Sequence, residues 1–369
     1  MPVHFRIEAR DNATDARAGV LTTERGEVRT PAFLPVGTAG TVKGVWPAQL
    51  KAMGYQCVLA NTYHLYLRPG HERIRRLGGV QRFMGWDRPV LTDSGGYQVF
   101  SLSSLRSVSD DEVTFRSHID GSRHVLSPEL AVEVQEALGS DIRMVLDECV
   151  EYPAGRREVE EAVRRTAVWA RRSLAVSRRE EGGMFGIVQG GMIPELRKQS
   201  VEEICSLPFP GFAIGGVSVG EGKQLLRETV EFTAPLLPGE KPIYLMGVGT
   251  PEDILFAVSR GVDIFDCVLP TRNARNGMLF TSVGQMSIKQ ARYADDPRPP
   301  DEKCDCPTCL TFSRAYLRHL YLQNEILSSM ALTVHNLHFY RQWMERIREA
   351  ISIGNLADFV QESPGSSGE

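Results

Sequence analysis

The chain has 369 residues, of which 42% are hydrophobic, so it can bury a large core in one barrel with insertions or in two domains. Its formal charge of -4 argues against non-specific polyanion binding, although a few arginines on one face would suffice for a small nucleic-acid footprint. The cysteines show no disulfide pattern, and no segment reads as a signal peptide or a membrane span. We therefore expect a soluble cytoplasmic protein with no membrane partner.

The first predicted element is a β-hairpin over residues 1–30, where apolar residues alternate weakly. Eight short apolar runs follow, and each stops at a glycine or a polar residue. They are Ala32–Val36, Cys57–Asn61, Pro89–Asp93, Ile142–Asp147, Phe185–Gln189, Phe212–Gly216, Ile243–Gly247 and Val262–Asp266. Continuous apolar strands with helices between them predict an α/β fold, a (β/α)8 TIM barrel over residues 31–362.

Helical patterns separate most of these runs. Ser127 and Thr250 are predicted N-cap residues, because a proline at the first helical position follows each of them. Arg156–Glu181 is predicted to be helical, as are Phe312–Leu332 and Asn336–Ser352 beyond the last strand. The tail, residues 363–369, is rich in serine and glycine and is predicted to be disordered.

A cluster of metal-ligand residues lies between the eighth strand and the last helices. It consists of Cys304, Cys306, Cys309 and His335. Three thiolates and one imidazole form a closed tetrahedral shell for Zn2+, which indicates a structural rather than a catalytic ion. We predict one structural zinc per chain in a zinc-binding insertion over residues 292–337. A chance clustering of buried thiols is the alternative, but the intervening residues are polar or turn-forming.

Functional residues of such a barrel are expected at the carboxyl ends of its strands, where the active site of this fold is built. Three carboxylates and two carboxamides are found there. The candidate positions are Asn61, Asp93, Asp147, Gln189, Gly216, Gly247 and Asp266. The sequence therefore predicts that these side chains converge on one face.

Asp93 and Asp266 are the candidates for chemistry. Asp93 enters a turn with two glycines and then Tyr97, an arrangement that lets a planar ligand approach the backbone and stack on the ring. Asp266 would add a second carboxylate, and two carboxylates can serve as nucleophile and acid/base in retaining glycosyl transfer. Arg272 and Arg275 follow and could hold phosphate or a base edge. Helix caps and a solvated basic face remain the structural alternatives.

A third set suits recognition of a base. The carboxylate of Asp147 can accept from the ring N–H and the exocyclic amine of guanine. An amide donor from Gln189 or from the Gly215–Val217 backbone would serve the carbonyl oxygen of the same base. Because glycines at strand ends are also common for packing reasons, this set is suggestive only.

Together these motifs resemble the bacterial tRNA-guanine transglycosylases, also called queuine tRNA-ribosyltransferases, from about Phe5 to Phe359. The segments that carry the resemblance are Thr30–Thr38, Asn61–Leu65, Asp93–Gln98, Gly215–Val217, Phe265–Arg272 and the zinc cluster. The fold of that family is a zinc-bearing (β/α)8 barrel, in agreement with the strand count.

The resemblance implies exchange of the wobble guanine in tRNAs with a G-U-N anticodon. Asp266 matches the nucleophile that forms a covalent ribosyl-aspartate, and Asp93 matches the general acid/base. The matches to base-binding residues are Asp147, Gln189, Gly216, Val217, Tyr97 and Met246, of which the last two sandwich the ring. Arg272 and Arg275 match positions that contact the anticodon loop.

The resemblance also bears on substrate and assembly. Cys149 and Val219 are typical of the bacterial pocket, which takes 7-aminomethyl-7-deazaguanine for queuosine biosynthesis. At position 217 this chain has valine where leucine is commoner in the family. This difference affects only the details of the base pocket. The family resemblance implies a homodimer.

Two competing functions are considered. A non-catalytic RNA-binding subunit of such an enzyme would lack the nucleophile, whereas Asp266 is present. An unrelated zinc hydrolase would need an open coordination position with ligands at strand ends, whereas the four ligand candidates lie beyond the last strand.

Overall fold

The computed structural model describes residues 3–102, 106–178 and 182–362. Its strands are β1 (His4–Arg10), β2 (Arg17–Thr23), β3 (Gly26–Thr30), β4 (Ala32–Gly37), β5 (Val58–Ala60), β6 (Val90–Thr92), β7 (Arg106–Val108), β8 (Val113–Arg116), β9 (Arg123–Leu126), β10 (Ile142–Met144), β11 (Gly183–Val188), β12 (Phe212–Ile214), β13 (Ile243–Leu245), β14 (Ile264–Cys267), β15 (Met278–Thr281) and β16 (Gly284–Ser287). The predicted tail over 363–369 lies outside the described residues.

The helices are α1 (Pro47–Ala52), α2 (Thr62–Leu67), α3 (His71–Arg76), α4 (Gly79–Met84), α5 (Gly96–Leu102), α6 (Pro128–Leu138), α7 (Arg156–Val176), α8 (Pro194–Cys205), α9 (Lys223–Thr233), α10 (Pro251–Val258), α11 (Leu269–Arg275), α12 (Pro307–Thr311), α13 (Arg314–Leu322), α14 (Ile326–Ser352) and α15 (Leu356–Glu362). Short 3-10 turns occur at Ala234–Leu236 and Ala291–Tyr293. In the described part of the chain no helix is long and apolar enough to cross a membrane.

Eight parallel strands close into a barrel in the order β4, β5, β6, β10, β11, β12, β13, β14, and β14 pairs back onto β4. Each of the eight predicted apolar runs overlaps one of these strands. Most of their residues are buried, as expected when helices cover a parallel sheet on its outer face and side chains fill the interior. The predicted TIM barrel is confirmed.

The segment before the barrel forms a three-stranded antiparallel sheet, β1–β2–β3, so the predicted hairpin is extended by one strand. Two arginines join this sheet to carboxylates just before barrel strands. Arg17 forms a buried ion pair with Asp263 at 2.6 Å, and Arg25 bonds Asp141 at 2.9 Å. The sheet therefore packs at the amino ends of the strands, opposite the face expected to carry the site.

A second antiparallel sheet, β7–β8–β9, is inserted after α5 and was not predicted. The predicted caps are confirmed: Ser127 Oγ accepts from the Leu130 amide and Thr250 Oγ1 from the Asp253 amide. The helix predicted over Arg156–Glu181 ends at Val176, and residues 179–181 of that prediction lie outside the described part of the chain.

The boundaries of the last helices differ from the prediction. The first runs from Arg314 to Leu322 and stops well before Leu332, while α14 begins at Ile326 and continues to Ser352. His335 therefore lies within a long helix and not in a break between two helices. The error arose because His335 and Asn336, two polar residues on the buried face of α14, interrupt its apolar pattern, and both make contacts with buried groups in the fold.

Candidate active site

A cavity of about 470 Å3 opens at the carboxyl ends of the barrel strands. Eight of the ten residues predicted for catalysis, base binding and RNA binding line it: Asp93, Tyr97, Asp147, Gly216, Val217, Met246, Asp266 and Arg272. Gln189 and Arg275 are not part of the lining. The barrel brings the strand ends together because its parallel strands all terminate at this face.

Asp93 follows β6 and is 8% exposed. Its Oδ1 accepts from the Thr62 amide at 2.8 Å, and its Oδ2 accepts from Asn61 Nδ2. Burial raises the pKa of Asp93 to about 6, the two hydrogen bonds oppose that rise, and the nearby charge of Asp266 adds to it. A carboxyl group with this pKa can both give and take a proton near neutral pH.

Asp266 lies in β14 and is half-buried. Its Oδ1 accepts from Tyr244 Oη at 2.6 Å and from the Gly247 amide at 2.9 Å. Its Oδ2 receives no hydrogen bond from any residue that the structure describes. Burial raises the pKa of Asp266, while the bonds from Tyr244 and Gly247 favour the carboxylate. One oxygen is thus anchored and the other is free to react within the cavity.

Asp147 lies deeper and is 5% exposed. Ser94 Oγ donates to its Oδ1 at 2.9 Å, and Gln189 Nε2 donates to its Oδ2 at 2.7 Å. Burial raises the pKa of Asp147 to about 6, and both bonds counter that rise. Gln189 therefore donates to the carboxylate of Asp147 and does not line the cavity. The sequence had predicted that Gln189 would face a base.

The turn after β12 presents backbone to the cavity. Gly216 has φ of +65°, a conformation that favours glycine, and a Cβ there would lie 2.3 Å from Gln189 Oε1. Both the backbone conformation and the close packing on Gln189 therefore require glycine at this position.

Residues at the edge of the cavity are more exposed. Tyr97 is 48% exposed, and Met246 follows β13. Arg272 is exposed and lines the cavity, whereas Arg275 is half-buried and donates to the Thr271 carbonyl at 2.8 Å. The predicted arginine pair is thus split into one side chain at the cavity and one that is bound to its own helix.

The predicted metal ligands converge outside the barrel. Sulphur atoms of Cys304, Cys306 and Cys309 lie 3.7, 3.6 and 3.3 Å from His335 Nδ1. A tetrahedral Zn2+ with Zn–S of about 2.3 Å and Zn–N of about 2.0 Å would separate sulphur and nitrogen by about 3.5 Å. The four ligand atoms, all within 4.8 Å of one another, therefore fit a metal ion of that kind.

The outer contacts of this centre also fit a metal. His335 Nε2 lies 2.8 Å from the Phe280 carbonyl, which fixes Nδ1 as the nitrogen that faces the thiols. The next residue, Asn336, accepts from the Phe280 amide at 3.0 Å and donates to the Pro270 carbonyl at 3.0 Å. Since Pro270 belongs to α11, the helix of Arg272, the centre is tied to the cavity side of the barrel.

The profile of the family described as Queuine tRNA-ribosyltransferase matches residues 11–366. A queuine tRNA-ribosyltransferase of Moorella thermoacetica is 54% identical over 363 residues, 97% of each chain. One of Desulforamulus reducens is 50% identical over 98% of each chain, and one of Cereibacter sphaeroides is 54% identical over 96% of this chain and 94% of its own.

The chain belongs to the queuine tRNA-ribosyltransferase family. It is accordingly a glycosyl-transferring enzyme, and the expectation from its motifs is confirmed. In this member, two cysteines near the carboxylates are disfavoured as thiolate nucleophiles. Burial raises the pKa of Cys149 to about 12 and that of Cys267 to about 11, so both remain thiols at neutral pH.

Sequence reasoning missed three side chains that shape this family member's site. Tyr244 bonds Asp266, Ser94 bonds Asp147, and Arg197 bonds the turn after β12. Tyr244 could have been found from the sequence, because it lies within an otherwise apolar barrel strand and a buried tyrosine hydroxyl needs a hydrogen-bond partner. For Arg197 the sequence held no such signal, since its partners are backbone carbonyls, which every residue carries.

Proposed function

We propose that this enzyme exchanges the wobble guanine of tRNAs with a G-U-N anticodon for 7-aminomethyl-7-deazaguanine, by double displacement through a ribosyl-aspartate. The observation that carries the proposal is the set of three carboxylates on one cavity, two buried and one half-buried, each with a different hydrogen-bonding environment. They are Asp93, Asp147 and Asp266.

Asp266 supplies the nucleophile. Its Oδ2 attacks the anomeric carbon of the ribose, the new C–O bond forms, and the glycosidic bond breaks with its electron pair leaving on the base. Tyr244 and Gly247 hold Oδ1, so the carboxylate cannot rotate away from the sugar. The incoming base then displaces the aspartate from the same carbon and restores the original stereochemistry.

Asp93 moves the proton. With a pKa of about 6 it can donate to the departing base and then accept from the incoming one, and the bonds from Asn61 and Thr62 keep it in place. Two carboxylates of different environment therefore divide nucleophilic and acid/base work.

Asp147 recognises the base. Its carboxylate accepts from the ring N–H and the exocyclic amine, while the amides of Gly216 and Val217 serve the carbonyl oxygen. Gln189 orients Asp147 through the 2.7 Å bond and can reach the base only by releasing it. Tyr97 and Met246 cover the two faces of the ring, as proposed from the family resemblance.

The finer assignments rest on the cavity and its surroundings. Cys149 and Val219 line the cavity, in support of a pocket for the aminomethyl base. Arg272 contacts the anticodon loop, and Arg275 joins it by releasing the Thr271 carbonyl. The Cys3His centre holds a structural zinc that braces this side. The homodimer stays a prediction.

A non-catalytic RNA-binding subunit is the second candidate. It would not need a carboxylate with one anchored and one free oxygen, which is the arrangement at Asp266. The catalytic function is therefore favoured.

The test is a covalent adduct with tRNA, seen on a denaturing gel and located by mass analysis of the RNA-bearing peptide. Asp266→Ala should form no adduct, whereas Asp93→Ala should keep the nucleophile. Asp253→Asn is the control: Asp253 also lines the cavity, but Arg227 and Thr250 occupy its oxygens, so the adduct should still form. An adduct that persists in Asp266→Ala, or that maps to Asp93, would overturn the assigned roles.

A further inference from the structure

Arg197 is a buried arginine that forms its hydrogen bonds with backbone carbonyls. It projects from α8, is 1% exposed, and forms no ion pair with any carboxylate in the described part of the chain. Burial lowers the pKa of Arg197 to about 10, so the guanidinium still carries its charge at neutral pH. A buried charge is costly unless its hydrogen bonds are made, so this one is expected to have a specific use.

The guanidinium is bonded to backbone carbonyls. Its Nε donates to Gly191 at 2.8 Å, and Nη1 donates to Val188 at 3.3 Å and to Gly215 at 2.7 Å. Nη2 donates to Gly216 at 3.1 Å. Four bonds to the ends of two neighbouring barrel strands make the planar fork a rigid support for the turn after β12.

The peptide geometry then sets the direction of the amides. In a trans peptide the C=O and the next N–H point to opposite sides. Because the carbonyls of Gly215 and Gly216 face Arg197, the N–H groups of Gly216 and Val217 point away from it. These residues line the cavity and Arg197 does not, so the amides are directed toward the cavity in which the proposed base would bind.

We propose that Arg197 is a positioning residue that orients and polarises the two peptide groups of this turn, so that their amides bind the carbonyl oxygen of the base. The inference rests on the proposed function. A positive charge on the carbonyl side of a peptide strengthens its N–H as a donor. As the glycosidic bond breaks, its electron pair spreads over the base onto that carbonyl oxygen, so the interaction is stronger in the transition state than with bound substrate.

The test compares two free bases on the full-length enzyme. Guanine carries a carbonyl oxygen, while 6-thioguanine keeps the ring N–H and the amine but replaces that oxygen with sulphur, a weaker acceptor. Arg197→Gln should weaken guanine binding about tenfold, because the hydrogen bond to the carbonyl oxygen loses its charge assistance. The same substitution should weaken 6-thioguanine binding by much less. Arg197→Lys, which keeps the charge but not the fork, should give an intermediate guanine to 6-thioguanine affinity ratio.

A matched control is Arg143→Gln. Arg143 is equally buried, but it pairs with Glu136 at 2.7 Å and does not line the cavity, so its loss should leave the affinity ratio unchanged. If Arg197→Gln weakened the binding of guanine and of 6-thioguanine equally, the role of Arg197 would be purely structural and the inference would be overturned. If that variant does not fold, an unchanged ratio in Arg197→Lys would overturn it. Failure of the wild type to bind guanine would instead refute the proposed function.

Discussion

Replacing Asp93 with asparagine should stabilise the protein at neutral pH while abolishing base exchange. The buried carboxyl group is destabilised in its charged form, and asparagine has nearly the same shape without the charge. The bond from the Thr62 amide can persist, and Asn61 can turn its amide to accept from the new side chain. Removal of the charge should therefore not open a cavity or leave a donor unpaired.

The size of the effect follows from the pKa of Asp93. The difference between its ordinary value of 3.8 and about 6 corresponds to ~3 kcal/mol. Between these values the folded protein binds more protons than the unfolded chain, so its free energy of unfolding falls as pH rises. The gain from Asp93→Asn should be near zero below pH ~4 and reach about 3 kcal/mol above pH ~7.

Urea unfolding at several pH values measures this gain. A suitable control is Asp87→Asn, because Asp87 is exposed and its bond to Lys51 lowers its pKa, so the pH dependence should have the opposite sign. A gain from Asp93→Asn that is the same at pH 4 and pH 8 would refute the role of ionisation. A loss of stability at pH 8 would show that the hydrogen bonds outweigh the charge.

Three further outcomes are expected. Asp147→Ala should lower the rate of base exchange roughly 100-fold or more, because two donors of the base lose their acceptor. Binding of tRNA, measured by a filter assay, should persist. A normal rate of base exchange in this variant would place base recognition elsewhere. Cys306→Ser should reduce bound zinc and make residues 292–337 sensitive to protease while the barrel stays folded, and full metal content with full activity would contradict this. Tyr340→Phe should lower the free energy of unfolding by about 1–2 kcal/mol, because the Gly249 carbonyl loses the hydroxyl that donates to it at 2.5 Å. An unchanged urea midpoint would refute this role of Tyr340.

The barrel and most of the candidate residues that line its cavity could be predicted from local patterns. Each buried strand is an apolar run, and each run ends where the chain leaves the barrel, so Asp93, Asp147 and Asp266 were readable as strand-end carboxylates. Ligand chemistry likewise identified Cys304, Cys306, Cys309 and His335 before any fold was known. These features depend on residue type and short spacing, which the sequence shows directly.

Other features depend on which groups meet across the fold. The start of α14 was misplaced because His335 and Asn336 on its buried face contact the clustered thiols and backbone groups, so a polar residue there does not mean exposure. Likewise, only the structure showed that Gln189 donates a hydrogen bond to Asp147 and that Arg197 donates to backbone carbonyls after β12. Sequence patterning determined which residues are apolar and where strands stop. Tertiary packing decided which buried polar groups become partners, because each pairing depends on distances between chain segments that are far apart in sequence.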